Sequence, residues 1–245
     1  MSFISEVYNC DCMEFMRNQP DNRFDLAIVD PPYGLPSKST HGRGKLKDRS
    51  LNRGNIHQWD FRPPKEYFDE LFRVSKNQII WGGNYFELPP CRCFVCWDKE
   101  QVWENFSQCE FAWTSFDKPA KMIRLANRGG DADKAKFHPT AKNVKLYEYL
   151  LRTFANKGDI IFDSHLGSAP SRIACYKLGF EFYGCEIDEE YYKLADERFR
   201  RECLGEYTMK DGRTAIQLDI FRSHYTNKVT EGHITFIMFP ATFFS

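Results

Sequence analysis

Two prolines flanked by an aspartate and a tyrosine, at positions 30–33, follow an apolar run that ends abruptly. Residues 24–29 read Phe-Asp-Leu-Ala-Ile-Val and stop at Asp30, Pro31, Pro32 and Tyr33, which predicts a buried strand followed by a turn. Because proline lacks a backbone N–H, this turn leaves carbonyl oxygens as acceptors. The Asp30 carboxylate and the Pro31 carbonyl are suited to accept two hydrogen bonds from one amino group, and Tyr33 offers a face on which a base can stack. A proline-rich turn without a ligand explains the four residues equally well.

A strand–turn–helix segment at residues 162–168 is the second candidate site. Its sequence is Phe-Asp-Ser-His-Leu-Gly-Ser, in which Gly167 permits close approach of the backbone and the helix start supplies N–H donors for the carboxylate of an amino-acid-like cofactor. Glu186 ends the next predicted strand about twenty residues further on, where an acid typically holds ribose hydroxyls. Taken singly, each signal is weak, because many α/β turns contain a glycine and a serine and Glu186 lies in an acidic segment.

Alternating strands and helices must position these residues. The predicted strands begin at residues 7, 24, 78, 94, 110, 159 and 180, and the predicted helices cover residues 12–18, 64–74, 144–154, 170–178 and 189–203. Strands that alternate with helices predict a mainly parallel α/β sheet covered by helices on both faces. In such sheets ligands bind at the carboxyl ends of the strands, which is where all three candidate segments lie.

The charge of the chain is segregated, although its formal net charge is zero. Residues 38–62 contain seven Lys/Arg and two Asp, and residues 118–142 again contain seven Lys/Arg and two Asp. Residues 34–62 and 117–141, which contain nearly all of these charges, lack apolar periodicity and are predicted to be long loops. Two basic loops are compatible with a polyanionic partner, whereas charge alone favours solvated loops.

Composition excludes several other classes of protein. No apolar run is long enough to cross a bilayer, and the N-terminus lacks the pattern of a signal peptide, so we expect a cytoplasmic protein. The nine cysteines are odd in number and scattered, which argues against a disulfide framework. Cys91, Cys93, Cys96 and Cys109 resemble a metal cluster, but an extended strand turns Cys93 and Cys96 to opposite faces, and we expect no metal site.

Five segments resemble motifs of the permuted β-type DNA amino-methyltransferases, and especially of the small phage and prophage adenine-specific enzymes. They occur along the chain in the same order as in that family. Residues 30–33 match the catalytic motif of that family, residues 162–168 its cofactor loop and residues 183–188, Tyr-Gly-Cys-Glu-Ile-Asp, its ribose strand. Residues 138–142, His-Pro-Thr-Ala-Lys, match the segment before the cofactor helix, and residues 9–13, Asn-Cys-Asp-Cys-Met, match the adenine-contact motif. The chain departs from the family at Ala169-Pro170, where Gly-Thr is usual, and at Asn143, where proline is common.

The resemblance implies a Rossmann-like methyltransferase fold in which the catalytic half precedes the cofactor half. It implies methyl transfer from S-adenosylmethionine to adenine N6 of a base flipped out of double-stranded DNA, because the Asp form of the catalytic motif favours adenine. The alternatives are a cytosine N4 or RNA methyltransferase, or a DNA-binding relative that has lost catalysis, for which the altered cofactor loop is the support. Residues 1–203 would form the methyltransferase domain, with basic inserts at about 34–62 and 117–141, and residues 204–245 stay unassigned. Monomer and homodimer are both left open.

The same resemblance assigns roles to individual residues. The expected catalytic residues are Asp30, Pro31, Pro32 and Tyr33. The expected cofactor contacts are Asp11, Cys12, Asp30, His138, Thr140, Lys142, Asp163, Ser164, His165, Leu166, Gly167, Ser168, Glu186, Ile187 and Asp188. Charge and position add Lys38, Arg43, Lys45, Lys47, Arg49 and Arg53 as expected DNA contacts, through phosphate.

Overall fold

The fold is an α/β sheet with helices packed on it. A computed structural model describes residues 4–34, 61–101, 107–126, 141–208, 213–216 and 235–236. The strands of the main sheet are β1 (Ser5–Asn9), β2 (Phe24–Val29), β3 (Ser75–Trp81), β4 (Phe94–Asp98), β5 (Cys109–Thr114), β6 (Lys121–Arg124), β7 (Ile160–Asp163) and β8 (Glu181–Glu186). The helices are α1 (Cys12–Arg17), α2 (Lys65–Val74), α3 (Val144–Phe154), α4 (Pro170–Leu178) and α5 (Glu189–Phe199), with a π turn at Arg200–Leu204.

One reversed strand distinguishes the main sheet from a purely parallel one. Its order is β1-β8-β7-β2-β3-β5-β4-β6. The pairs from β1 to β3 are parallel, and β5 pairs antiparallel with both β3 and β4. β4 and β6 are again parallel to each other. The start of β5 therefore lies at the same edge as the carboxyl ends of its neighbours.

Side chains that alternate along β2 separate two hydrophobic layers. Leu26 and Ile28 pack with residues of α3, α4 and α5, whereas Ala27 and Val29 pack with residues of α1 and α2. Helix α2 presents Tyr67, Phe68, Leu71 and Val74, at helical spacing, to this second layer. Both faces of the sheet are thus covered, as the alternating sequence pattern predicted.

The prediction of one continuous basic loop over residues 117–141 is wrong at β6. Lys121–Arg124 pairs with β4 at the edge of the sheet, with alternate residues half-buried. Ile123 packs on the core, while the charged residues at either end of this short strand hide its apolar pattern. An edge strand tolerates such residues because one side faces solvent.

The segment after α5 also differs from the prediction in detail. The helix predicted over residues 189–203 is α-helical to Phe199 and then becomes the π turn. Beyond it, β9 (Glu206–Thr208), β10 (Thr214–Ile216) and β11 (Thr235–Phe236) form a small second sheet. Among the described residues, no helix is both long and apolar enough to cross a membrane.

Candidate active site

The turn after β2 places a tyrosine hydroxyl on a carboxylate. The hydroxyl of Tyr33 donates to Asp30 Oδ1 at 2.7 Å. Burial, the carboxylates of Asp30 and Glu110 and the hydrogen bond to Asp30 raise the pKa of Tyr33, so the phenol keeps its proton and remains a donor. One face of its ring is stacked on Tyr85, with centroids 4.9 Å apart. The flat face that the sequence suggested for a base is therefore already shared with a second aromatic ring.

Gly82 gives the Tyr33 ring its space. This residue follows β3 with φ +68°, a conformation that favours glycine. A Cβ added at Gly82 would lie 2.2 Å from Tyr33 Cε1. The position of Tyr33 therefore depends on the absence of a side chain at the end of the neighbouring strand.

A cluster of four alternating charges, formed by Lys99, Glu110, Lys142 and Asp30, lies beside this turn. Lys142 Nζ pairs with Asp30 Oδ2 and lies 3.3 Å from Glu110 Oε2, while Lys99 Nζ pairs with Glu110 Oε1. Burial alone would lower the pKa of Lys142, but Asp30 and Glu110 outweigh it and raise that pKa. Burial would raise the pKa of Glu110, and the two lysines outweigh it and lower that pKa. Lys142 and Glu110 are therefore expected to be charged at neutral pH.

Two members of this cluster did not emerge from the sequence. Glu110 reaches the edge because β5 runs opposite to β3, and Lys99 follows β4, whose end pairs with the start of β5. Lys142 was expected to contact a cofactor, but its ammonium is paired with the two carboxylates. Glu110 lies at the start of β5, so the sequence could have placed it in the site only if the direction of β5 were known.

Glu186 fastens the predicted cofactor loop to the end of β8. Its Oε2 accepts from the Gly167 N–H at 2.8 Å, and its Oε1 accepts from the Asp188 N–H at 3.0 Å. Burial raises the pKa of Glu186, although these backbone donors oppose that rise. A carboxylate offers about four lone-pair positions, so the side chain can still accept from two hydroxyl groups.

The N-terminal motif lies against the same strand end. The side-chain amide of Asn9 donates to the Glu186 carbonyl at 2.8 Å. Asp11 caps α1 by accepting from the Met13 N–H at 2.7 Å, and burial raises the pKa of the neighbouring Cys12 thiol to about 12. The motif is therefore adjacent to Glu186 at this edge of the sheet.

The end of β7 carries a buried carboxylate that bonds inward. Asp163 Oδ2 accepts from the Ser171 hydroxyl at 2.6 Å, and its Oδ1 accepts from the His165 N–H at 3.0 Å. Burial raises its pKa to about 7, although these two donors oppose the rise. Burial also lowers the pKa of His165 to about 4, so the imidazole is neutral at pH 7. These groups bond to one another within the loop and to the first turn of α4.

Asp163→Asn should flatten part of the dependence of stability on pH. The folded-state pKa of about 7 lies above the ordinary value of 3.8, so the folded state binds more protons between these values. The free energy of unfolding therefore falls as pH rises from about 4 to about 7, by up to about 4 kcal/mol for the full shift. Urea unfolding of both proteins at pH 5 and pH 8 measures the difference. Asp117→Asn, at an exposed ion pair with Arg92, is the control; an equal slope in the wild type and Asp163→Asn would contradict the assignment.

The departure from the family pattern lies at the start of α4. Ala169 adopts the left-handed conformation, φ 60° and ψ 34°, with Pro170 as the first helical residue. Such a conformation costs a residue with a side chain about 1–2 kcal/mol. The buried Arg198 of α5 donates to the Ser168 carbonyl at 2.8 Å. This hydrogen bond fixes the end of the loop against α5. Asn143, the other departure, caps α3 by accepting from the Lys145 N–H at 2.9 Å.

The predicted site residues fall into three groups. Those placed together at the carboxyl edge are Asp11, Cys12, Asp30, Pro31, Pro32, Tyr33, Lys142, Asp163, Ser164, His165, Leu166, Gly167, Ser168, Glu186 and Asp188. Ile187 follows β8 but is 62% exposed. His138, Thr140, Lys38, Arg43, Lys45, Lys47, Arg49 and Arg53 lie outside the described residues. Within the described ranges no three His, Cys, Asp or Glu side chains are arranged to hold a metal ion.

Comparison with known proteins gives matches over most of the chain. A DNA methylase family model, whose label joins N6 and N4 methyltransferases, matches residues 94–197. The chain is 37% identical to the type II methyltransferase M.HpaI of Haemophilus parainfluenzae, over 80% of this chain and 74% of that protein.

Two solved structures show the same fold at low sequence identity. The complex of M1.HpyAVI with SAM matches with a TM-score of 0.51 and 20% identity, over 79% of this chain and 98% of that one. The cytosine-N4-specific PvuII DNA methyltransferase matches with a TM-score of 0.53 and 14% identity, over 82% and 86%. The mainly parallel sheet with helices on both faces is thus a Rossmann-like fold that DNA methyltransferases share.

Proposed function

This chain belongs to the DNA methylase family, and from that premise we propose that it transfers a methyl group from S-adenosylmethionine to adenine N6 of a base flipped out of duplex DNA. The observation that carries the proposal is the meeting of two segments at neighbouring strand ends. Asp30 follows β2 and Asp163 ends β7, and these strands are paired. An acceptor for an amine therefore stands next to a loop suited to a nucleoside cofactor.

The cofactor side of the proposal uses groups that are still able to bind. Glu186 has lone pairs left for the ribose hydroxyls after its bonds to Gly167 and Asp188. The N–H groups of four residues in the loop before α4 are already donated within the protein, and Pro170 has none. The N–H groups of Ser168 and of the first turn of α4 are therefore the ones we propose for the carboxylate of the methionine part. Asp11 and Cys12 lie beside the strand end where the adenine ring would follow from the ribose. The solved relative M1.HpyAVI was crystallised with SAM, which supports the same choice of cofactor.

The acceptor side supplies orientation rather than covalent chemistry. The target amine would donate one hydrogen bond to the Asp30 carboxylate and one to the Pro31 carbonyl, which turns its lone pair towards the incoming methyl group. S-adenosylmethionine supplies that methyl group on a positively charged sulfur, and the carbon–sulfur bond breaks as the nitrogen–carbon bond forms. The methylated amine then loses a proton to solvent. Positioning of this kind is a large source of catalysis.

Adenine is proposed over cytosine because residue 30 is an aspartate. Cytosine N4 enzymes more often have serine at the start of this motif. The family unites N6 and N4 enzymes, and cytosine N4 is therefore the second candidate. Both bases present an exocyclic amine to the same pair of acceptors, so the preference for adenine rests on the identity of residue 30 alone.

Duplex DNA is the proposed substrate, with the basic stretches as its phosphate contacts. The stretch 38–62, which contains the six expected DNA contacts, begins soon after Tyr33 and has five more basic than acidic residues. Contacts of this kind add affinity largely without discriminating sequence. These residues lie outside the described part of the chain, so sequence position and charge alone support their role.

Methyl transfer to plasmid DNA tests the function directly. We expect the purified chain to transfer label from S-adenosylmethionine carrying a radioactive methyl group, and enzymatic digestion of the DNA to yield labelled N6-methyl-2′-deoxyadenosine. Labelled N4-methyl-2′-deoxycytidine would overturn the choice of adenine. In a parallel assay with RNA, labelled RNA with unlabelled DNA would overturn the choice of substrate. If calorimetry shows that S-adenosylmethionine binds but no methyl group is transferred, the result would favour the alternative that the chain is a DNA-binding relative without catalytic activity.

A further inference from the structure

The cluster of four charges is larger than an amine-binding turn requires. Its Lys142 side chain is only 6% exposed, and those of Asp30 and Glu110 are 18% and 24% exposed. Lys142 Nζ also lies 5.4 Å from the centre of the buried Trp81 ring. Removing charges from water is costly, and a buried ion pair often stabilises a protein no more than apolar side chains of similar size. Stability alone therefore gives a weak reason for four charges at this place.

The contacts of Asp30 indicate what the cluster does. Its Oδ1 accepts from Tyr33 and its Oδ2 from Lys142, so the plane of the carboxylate is fixed from both sides. Each oxygen keeps a further lone pair for an amine. Lys142 in turn is held on its other side by Glu110, which Lys99 anchors. The orientation of Asp30 thus depends on a residue of the reversed strand that does not touch it.

We propose that Glu110 is a positioning residue for methyl transfer, which acts by holding Lys142 against Asp30. The proposal rests on the proposed function, since it assigns Glu110 to the site where Asp30 receives the target amine. Glu110 touches no reacting atom in this scheme. Loss of Glu110 would leave Lys142 with Asp30 as its one carboxylate partner in the cluster. The Lys142 ammonium could then move and change the orientation of the Asp30 carboxylate. Small displacements of a positioned group cost roughly ten- to a hundredfold in rate.

Glu110→Gln tests this role through the separation of kcat from KM. We expect kcat to fall roughly ten- to a hundredfold, with the KM for DNA and the Kd for S-adenosylmethionine within twofold of wild type. Glu70→Gln is the control for the loss of a paired carboxylate outside the cluster, because Glu70 is also paired with a basic side chain, although it is much less deeply buried than Glu110. That variant should keep the wild-type kcat.

A double variant separates positioning from charge balance. The double variant Lys99→Met with Glu110→Gln removes one positive and one negative charge. The remaining Lys142–Asp30 pair then has no surplus charge. This variant can therefore be used if Glu110→Gln alone does not fold. We expect kcat to stay low in the double variant, because Lys142 still lacks its second support. Recovery of the wild-type kcat in the double variant, or an unchanged kcat in folded Glu110→Gln, would overturn the proposal. Absence of methyl transfer by the wild type would instead overturn the proposed function.

Discussion

Asp30→Asn should lower methyl transfer by at least about a hundredfold while S-adenosylmethionine still binds. The side-chain amide keeps the shape of the carboxylate but has one acceptor oxygen instead of two. Its NH₂ group must face either the Tyr33 hydroxyl or the Lys142 ammonium, both of which donate to Asp30. The target amine would then lose the negative charge that orients it. Initial rates with labelled cofactor measure the effect, and calorimetry measures the Kd for the cofactor.

Asparagine is preferable to alanine at this position because of the buried lysine. Alanine would leave the Lys142 ammonium without any acceptor at position 30, and loss of one partner of a buried ion pair typically costs 3–5 kcal/mol in stability, so unfolding would mask the loss of chemistry. Asparagine also removes the charge, but its carbonyl oxygen can still accept from the ammonium. Asp69→Asn is a suitable control, since Asp69 forms an exposed pair with Lys65 on α2. A folded Asp30→Asn protein that binds cofactor and methylates at the wild-type rate would exclude the proposed mechanism.

Gly82→Ala should also reduce methyl transfer strongly, by roughly tenfold or more. The added Cβ would lie 2.2 Å from Cε1 and 2.6 Å from Cδ1 of Tyr33, so the ring must move. A displaced ring takes its hydroxyl away from Asp30 and disturbs the stack with Tyr85. The rate of methyl transfer and the free energy of unfolding should be measured together.

Gly158→Ala provides the matched control for the backbone. Gly158 also has a positive φ, +93°, but no atom lies within 4 Å of the added Cβ. Both variants should lose about 1–2 kcal/mol of stability from the left-handed conformation, whereas only Gly82→Ala moves Tyr33. Equal rates in the two variants would mean that the position of the Tyr33 ring does not matter for the reaction.

The residues that sequence reasoning located are those at the ends of parallel strands. An apolar run that stops at Asp30, and another that stops at Asp163, gives the position of each turn, because strand ends coincide with changes in polarity. The order of strands and helices then gives a sheet with two covered faces. These features depend only on local pattern, which is why the mainly parallel α/β class was predictable. The pairing of β2 with β7, which brings the two turns together, follows from the order of the sheet.

The residues that sequence reasoning missed depend on direction and orientation. Alternation in Cys109–Thr114 predicts a strand but not which way it runs, so Glu110 could not be assigned to the edge that holds Asp30. Similarly, the loop after β7 was located, while the inward bonds of Asp163 to Ser171 and His165 were not. The dependence of Tyr33 on Gly82 is a contact between neighbouring strands, which spacing along one segment does not reveal.

The register of the antiparallel pair β4–β5 fixes the position of Glu110 in the charged cluster. Asp98 is paired with Cys109 and Trp97 with Glu110. The Glu110 carboxylate therefore has a fixed position along the strand direction. A slip of one residue would turn every side chain of β5 to the opposite face and carry Glu110 away from Lys142. The distance between these groups is therefore a property of the backbone ladder. Insertions or deletions between the two strands should be tolerated as long as that ladder keeps its alignment.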